Sequence, residues 1–286
     1  APLAALLREA TPPAAVGAPT EAPRLRLFCL GPFRITLDGQ PLPAARFPRR
    51  KALALLQLLA AHRGRPLPRE ALIEALWPES DPAQGAASLR VVLHALRRAL
   101  EPAPPASPST FVLGRGDTVE LDPSPRCWVD VEEFLEAARS AATLAAQGRD
   151  EEALAACRRA AALYAGDYLE DAPYTDWCGA ERERLREVLL SVLRQQAALG
   201  LRRGLLAEAL EACQRAVAVD PLREEARRDL MHALWLAGRR AEALRQYEEC
   251  RRLLREELGV APLPETQELY HRLRAEATGK RPVTSL

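Results

Sequence analysis

The stretch Asp81-Pro-Ala-Gln-Gly-Ala-Ala-Ser-Leu-Arg-Val-Val-Leu-His-Ala-Leu-Arg-Arg-Ala-Leu100 decides the fold. Asp81 is a strong N-cap, Pro82 suits the first helical position and Gln84 completes a capping box, so a helix starts here. Leu89, Leu93, Leu96 and Leu100 recur at spacings of three and four and line one buried stripe. Pro102 ends the run. The opposite face carries Ser88, Arg90, Val91, His94, Arg97 and Arg98 without one acid, in a chain with 39 acidic residues among 286. Hydroxyl, imidazole and guanidinium groups on one helix face match the base edges of a DNA major groove, and further arginines match its phosphates. The same face also fits an ordinary solvated basic surface, so the flanking segments decide between the two.

Upstream, Pro48 to Gly64 reads as a second helix with Ala52, Leu55, Leu56 and Leu59 on one face. Arg49, Arg50 and Lys51 fall in its first turn, where cations oppose the helix dipole. A DNA phosphate would relieve that conflict; a solvated cluster is the alternative. Pro68 to Pro78 reads as a short third helix whose Leu72, Leu76 and Trp77 pack under the long one, Trp77 as core. Leu25–Leu30 and Phe33–Leu37 are strand-like runs, and Asp38-Gly39 is a tight-turn pair, so a small antiparallel sheet is expected. Downstream, Thr110 to Leu121 reads as a β-hairpin around Gly114-Arg-Gly-Asp117. Strands, three helices and a terminal hairpin are the parts of a winged helix. The hairpin is the wing, and Arg115 at its tip can meet a phosphate or the minor groove.

The net charge of +1 hides an asymmetry. Residues 24–123 hold 14 basic and 9 acidic residues, a net +5, whereas residues 128–278 hold 22 and 28, a net −6. A basic front half favours a polyanionic partner there and something else at the back. Only Lys51 and Lys280 are lysine, which with the abundant Ala and Pro points to a genome composition bias. The six cysteines are scattered with no C-x-x-C pair, so reduced, partly buried thiols are expected, with no metal or cofactor site. No apolar run reaches membrane-spanning length and the N-terminus lacks a secretory pattern. Those absences predict a cytoplasmic protein, at the nucleoid when bound to DNA.

From Cys127 onward the sequence is helical and repetitive. Gly204 and Gly238 are 34 residues apart, as are Ala207-Glu-Ala-Leu210 and Ala241-Glu-Ala-Leu244. An earlier copy starts at Gly148, one period plus a 22-residue insertion before Gly204. A 34-residue period with Gly between paired helices is the tetratricopeptide pattern. Cys157, Cys213 and Tyr247 occupy one repeat position, which argues for packing. The insertion, Tyr164 to Trp177, concentrates aromatics and acids. It reads either as a contact surface or as a loop anchored by its Tyr and Trp residues.

The fold class expected is therefore mainly α with a small β component, an N-terminal winged helix-turn-helix domain followed by an all-α tetratricopeptide-like domain. The boundaries are an Ala/Pro-rich arm over 1–23, the winged helix over 24–123, the repeat domain over 128–278 and a tail over 279–286. Arg49-Arg-Lys-Ala-Leu, Leu76-Trp-Pro-Glu79 and Ser88 to Leu100 resemble the DNA-binding domain of the Streptomyces antibiotic regulatory protein family. Gly166-Asp-Tyr-Leu169, Asp220-Pro-Leu-Arg-Glu224, Leu230 to Gly238 and Leu253 to Pro262 resemble the bacterial transcriptional activator domain of the same family. The resemblance spans nearly all of residues 25–275 and implies a transcriptional activator whose repeat domain self-associates or contacts RNA polymerase.

Three readings follow. The first is a sequence-specific activator of double-stranded DNA, with two protomers on direct repeats about one helical turn apart. The second is the output module of a larger signalling regulator, suggested by the Ala start and the Ala/Pro arm; no G-x-x-x-x-G-K-[ST] loop occurs in this chain. The third is a repeat scaffold whose winged helix has lost DNA. An enzyme ranks last: His62, His94, His232 and His271 are isolated, and no Ser-His-Asp order or H-E-x-x-H is present.

Overall fold

The computed structural model describes residues 24–47, 49–101, 109–171 and 178–277. The arm 1–23, Pro48, the Pro-rich loop 102–108, Trp177 and the tail 279–286 lie outside the described residues. Residues 24–134 with 163–183 form one compact unit, and residues 135–162 with 184–277 a second.

The first unit opens with strands β1 (Leu25–Phe28), β2 (Arg34–Leu37) and β3 (Gln40–Pro41). β1 and β2 pair antiparallel, Leu25 opposite Leu37. Asp38 and Gly39 both take positive φ, 47° and 79°, the turn geometry their sequence implies. Leu25, Leu27, Ile35 and Leu37 face the core, while Arg26 and Arg34 stack over Phe28 on the other face. Three helices follow: α1 (Arg50–Ala61), α2 (Arg69–Leu76) and α3 (Pro82–Leu100). The stripe Leu89, Leu93, Leu96 and Leu100 is buried against them. The hairpin of β5 (Val112–Arg115) and β6 (Thr118–Leu121) gains a third strand that its local sequence does not announce. β4 (Leu67–Pro68) pairs with β6, Leu67 opposite Val119. This is a winged helix.

A fourth strand joins the first sheet from far along the chain. β7 (Cys127–Val129) pairs parallel with β1, Leu25 opposite Cys127. Asp130, buried at the start of α4 (Asp130–Ala146), accepts the backbone N–H groups of Cys29, at 2.8 and 2.9 Å, and Leu30, at 2.9 Å. Burial raises the pKa of this carboxyl, and those donors oppose the rise. The insertion also belongs to this unit as far as it is described. Tyr168 bridges Leu30, and Leu169 N donates to Cys29 O at 2.8 Å. Tyr168 is fully buried, so the segment 164–171 is a loop pinned by its aromatics.

The second unit is helical: most of α4, α5 (Asp150–Leu163) and α6 (Gly179–Arg202), then α7 (Leu206–Val219), α8 (Glu224–Leu236), α9 (Arg240–Leu258) and α10 (Pro264–Ala277). The repeat is visible in the backbone. Gly148, Gly204 and Gly238 all take φ of +74°. The residue after each glycine donates to a carbonyl five residues back: Arg149 to Leu144, Leu205 to Gly200 and Arg239 to Leu234. This left-handed glycine cap turns each helix into the next. Cys157, Cys213 and Tyr247 lie buried nine residues beyond their glycines. Burial pushes the Cys157 and Cys213 thiols up to about 12, which makes them inert at neutral pH. All six cysteines are buried. No helix among the described residues is long and apolar enough to cross a membrane.

Candidate nucleic-acid interface

The interface is built on the turn between α2 and α3. Trp77 O accepts Ser80 Oγ at 3.0 Å, and Asp81 Oδ1 accepts Gln84 N at 2.9 Å, which fixes the start of α3 at Pro82. The two helices cross at Gly85, a position the sequence reading passed over. A β-carbon there would stand 2.4 Å from Ile73 Cγ2 of α2. Gly85→Ala should therefore force the helices apart and cost roughly 1–3 kcal/mol of stability, the usual range for overpacking. Urea denaturation measures this; a loss under about 0.5 kcal/mol, the scale of an ordinary surface change, would show that the crossing is loose.

The outer face of α3 exposes Arg90, Val91, His94 and Arg98, with Ser88 half-buried at its start. Val91 is 47% exposed, high for an apolar residue on a helix this well packed. Two shallow grooves lie side by side between this face and the segment 46–51, and Arg49 and Val91 line both. One, of about 460 Å³, is lined by Arg46, Arg49, Val91, His94 and Arg98. The other, of about 380 Å³, is lined by Arg49, Arg50, Lys51, Trp77, Ser88 and Val91. The basic first turn of α1 thus lies alongside α3, and Arg49, Arg50, Ser88, Val91, His94 and Arg98 form one surface. Arg46 belongs to it too. It sits on a single 3-10 turn, Ala44–Arg46, too short to carry a periodic signal.

Three predicted residues are placed differently. Lys51 Nζ donates to Leu76 O, the C-terminal carbonyl of α2, with its ammonium 5.8 Å from the Trp77 ring. Trp77 is half-buried beneath it rather than fully in the core. Arg97 is half-buried and turned toward the hairpin, where its Nε donates to Val112 O at 3.1 Å. Burial lowers its pKa, and the neighbouring Arg69 lowers it further. One turn on, Glu101 Oε1 accepts Ser109 Oγ, Thr110 N and Phe111 N at 2.7, 2.6 and 3.0 Å. Arg97 and Glu101 together clamp the wing to α3. Arg115 stands at the end of β5 with its side chain 73% exposed, 3.4 Å from Glu120.

Comparison with known proteins bears on this geometry. Residues 129–274 match the bacterial transcriptional activator domain, and residues 48–116 match the family described as "Transcriptional regulatory protein, C terminal". The chain is 32% identical over 260 residues to the regulatory protein DnrI of Streptomyces peucetius, covering 88% of this chain and 93% of DnrI. The chain belongs to the Streptomyces antibiotic regulatory protein family. Members of this family are transcriptional regulators. The regulatory protein AfsR of Streptomyces coelicolor is 38% identical over 253 residues, which cover 88% of this chain but 24% of AfsR. The chain thus spans about a quarter of the length of AfsR from S. coelicolor and from Streptomyces griseus. Among solved structures, Mycobacterium tuberculosis EmbR in complex with a low affinity phosphopeptide superposes with a TM-score of 0.73 at 26% identity, over 90% of this chain and 68% of that one. The order of parts found here, winged helix and then helical repeats, is the family's order.

Proposed function

We propose that this regulator is a sequence-specific activator that lays α3 in the major groove of double-stranded DNA. The observation that carries the reading is the acid-free exposed face of α3 beside two arginine-lined grooves. Ser88, Arg90 and His94 offer donors and acceptors to base edges, and Val91 offers an apolar contact for a thymine methyl. Arg46, Arg49, Arg50 and Arg98 border this face, where the phosphates of a bound duplex run. Arg115 extends the wing toward a further phosphate or the minor groove. Lys51 acts from behind, holding α2 in place, and the Nε of Arg97 ties the wing to α3. The helical unit serves self-association or contact with RNA polymerase, with two protomers on direct repeats about one turn apart. Arg90→Ala should cost roughly 1–3 kcal/mol on the specific site and much less on random DNA. Equal losses on both, in binding titrations at one salt concentration, would reduce Arg90 to a phosphate contact.

A second reading is favoured by the coverage of AfsR: the chain is the DNA-binding part of a longer regulator. The length of the native reading frame tests it, and a frame no longer than this chain would refute it.

A further inference from the structure

One pair of guanidinium ends beside α3 is only partly used by the fold. Arg69 opens α2 and Arg97 lies on α3, and both are half-buried. Their guanidinium ends meet over Gly114 of β5. A β-carbon at that glycine would stand 3.2 Å from Arg97 Nη2 and 3.9 Å from Arg69 Nη2, so the two like charges are no further apart than the sum of those distances. Arg97 commits its Nε to Val112 O, which leaves its terminal nitrogens available. Among the described residues, neither guanidinium has a carboxylate within ion-pairing distance. Glu101 attracts Arg97 electrostatically, but neither of its oxygens pairs with the guanidinium: Oε1 takes three other donors and Oε2 takes none. Gly114 is exposed and carries no side chain, so the approach to both cations stays open.

Two half-desolvated guanidinium groups repel each other unless an anion lies between them. Their planar donor forks match a tetrahedral oxyanion. We propose that Arg69, Arg97 and the open backbone at Gly114 form a phosphate-binding notch at the base of the wing. The occupant assigned to it is a phosphate of the DNA backbone, an assignment that rests on the DNA-binding reading above. The notch joins α2, α3 and β5, so an occupied notch ties the wing and the recognition helix to the same strand of the duplex.

The test uses the full chain, its Arg69→Gln variant and its Gly114→Val variant. Gly114→Val leaves both charges in place and fills the notch, and valine suits a strand. In the first arm, thermal unfolding is followed in inorganic phosphate and in chloride at equal ionic strength. Phosphate should raise the melting temperature of the unsubstituted chain beyond the chloride control and should do so in neither variant. In the second arm, DNA affinity is measured against salt. Each variant should lower the salt slope by about one and the affinity by about fivefold, equally on specific and random DNA. If phosphate stabilises only the unsubstituted chain while the slopes agree, the notch exists but takes a free oxyanion, which overturns the DNA assignment. If phosphate acts no differently from chloride and the slopes agree, the notch itself is overturned. A chain that binds no DNA in any form would sink the DNA reading and leave the first arm to decide the notch.

Discussion

Arg63→Ala is expected to destabilise the winged-helix unit by about 3 kcal/mol, the low end of the range for removing one partner of a buried charge pair, because Glu132 is partly exposed. The side chain is 8% exposed and lies just past the end of α1. It donates to the carbonyls of Asp122, Pro123, Ser124 and Cys127 and pairs with Glu132. One guanidinium therefore holds α1, the end of the wing, β7 and the first turn of α4. Alanine would leave four carbonyls short of a donor and a partly buried carboxylate without its cation. The penalty should also depend on pH. Burial raises the pKa of Glu132, and Arg63 opposes that rise. A carboxyl raised above its unfolded value stabilises the fold most in acid, and that contribution is lost as pH rises through its folded pKa. Without Arg63 the rise is larger, so the variant's deficit should be greatest at neutral pH and shrink toward about pH 5. Urea denaturation across that range checks both claims. A deficit under about 1 kcal/mol would show that Arg63 contributes no more than an ordinary surface charge, and a deficit that stays constant with pH would place the loss in the carbonyl bonds and not in the pair with Glu132.

What the sequence made legible is what is local. The start of α3 is written in Asp81, Pro82 and Gln84, and its buried face in four leucines, so the helix runs Pro82–Leu100 as expected. Asp38-Gly39 sets its turn by backbone preference alone. The repeat was readable because three glycines must each take the same left-handed φ. What stayed hidden depends on residues distant in the chain. β4 is two residues long and exists because β6 lies beside it. β7 is too short to signal a strand, and its partner β1 lies about a hundred residues earlier. The crossing at Gly85 requires Ile73 to be in place, and a glycine inside a helix looks like a defect until its neighbour is known. Helical spacing put Arg97 on the same face as Arg90 and Arg98. A long side chain at the edge of that face can turn either way, and the Val112 carbonyl turned it toward the wing. Lys51 was readable as a cation, but its target, the last carbonyl of α2, was not.

The triple variant Arg46→Gln, Arg49→Gln, Arg98→Gln is expected to lose about 150-fold in DNA affinity at about 0.15 M salt, on specific and random sites alike. Each phosphate contact contributes about 0.9 to the salt slope, which between about 1 M and 0.15 M salt amounts to about fivefold per contact. Three contacts multiply to the stated loss, and the slope should fall by about 2.7. All three side chains are exposed, and among the described residues none is paired with a carboxylate, so the fold should survive their neutralisation. The groove that Arg46, Arg49 and Arg98 line also takes in Val91 and His94 of the base-reading face, and the three arginines are the members of it assigned to the phosphates. Their loss should therefore leave the ratio of specific to random binding unchanged. Arg90→Ala should do the reverse, lowering that ratio while moving the slope little. The pair of measurements separates holding the duplex from reading it. An unchanged slope in the triple variant would place the duplex elsewhere on the unit, and a loss confined to the specific site would move these arginines from the phosphates to the bases.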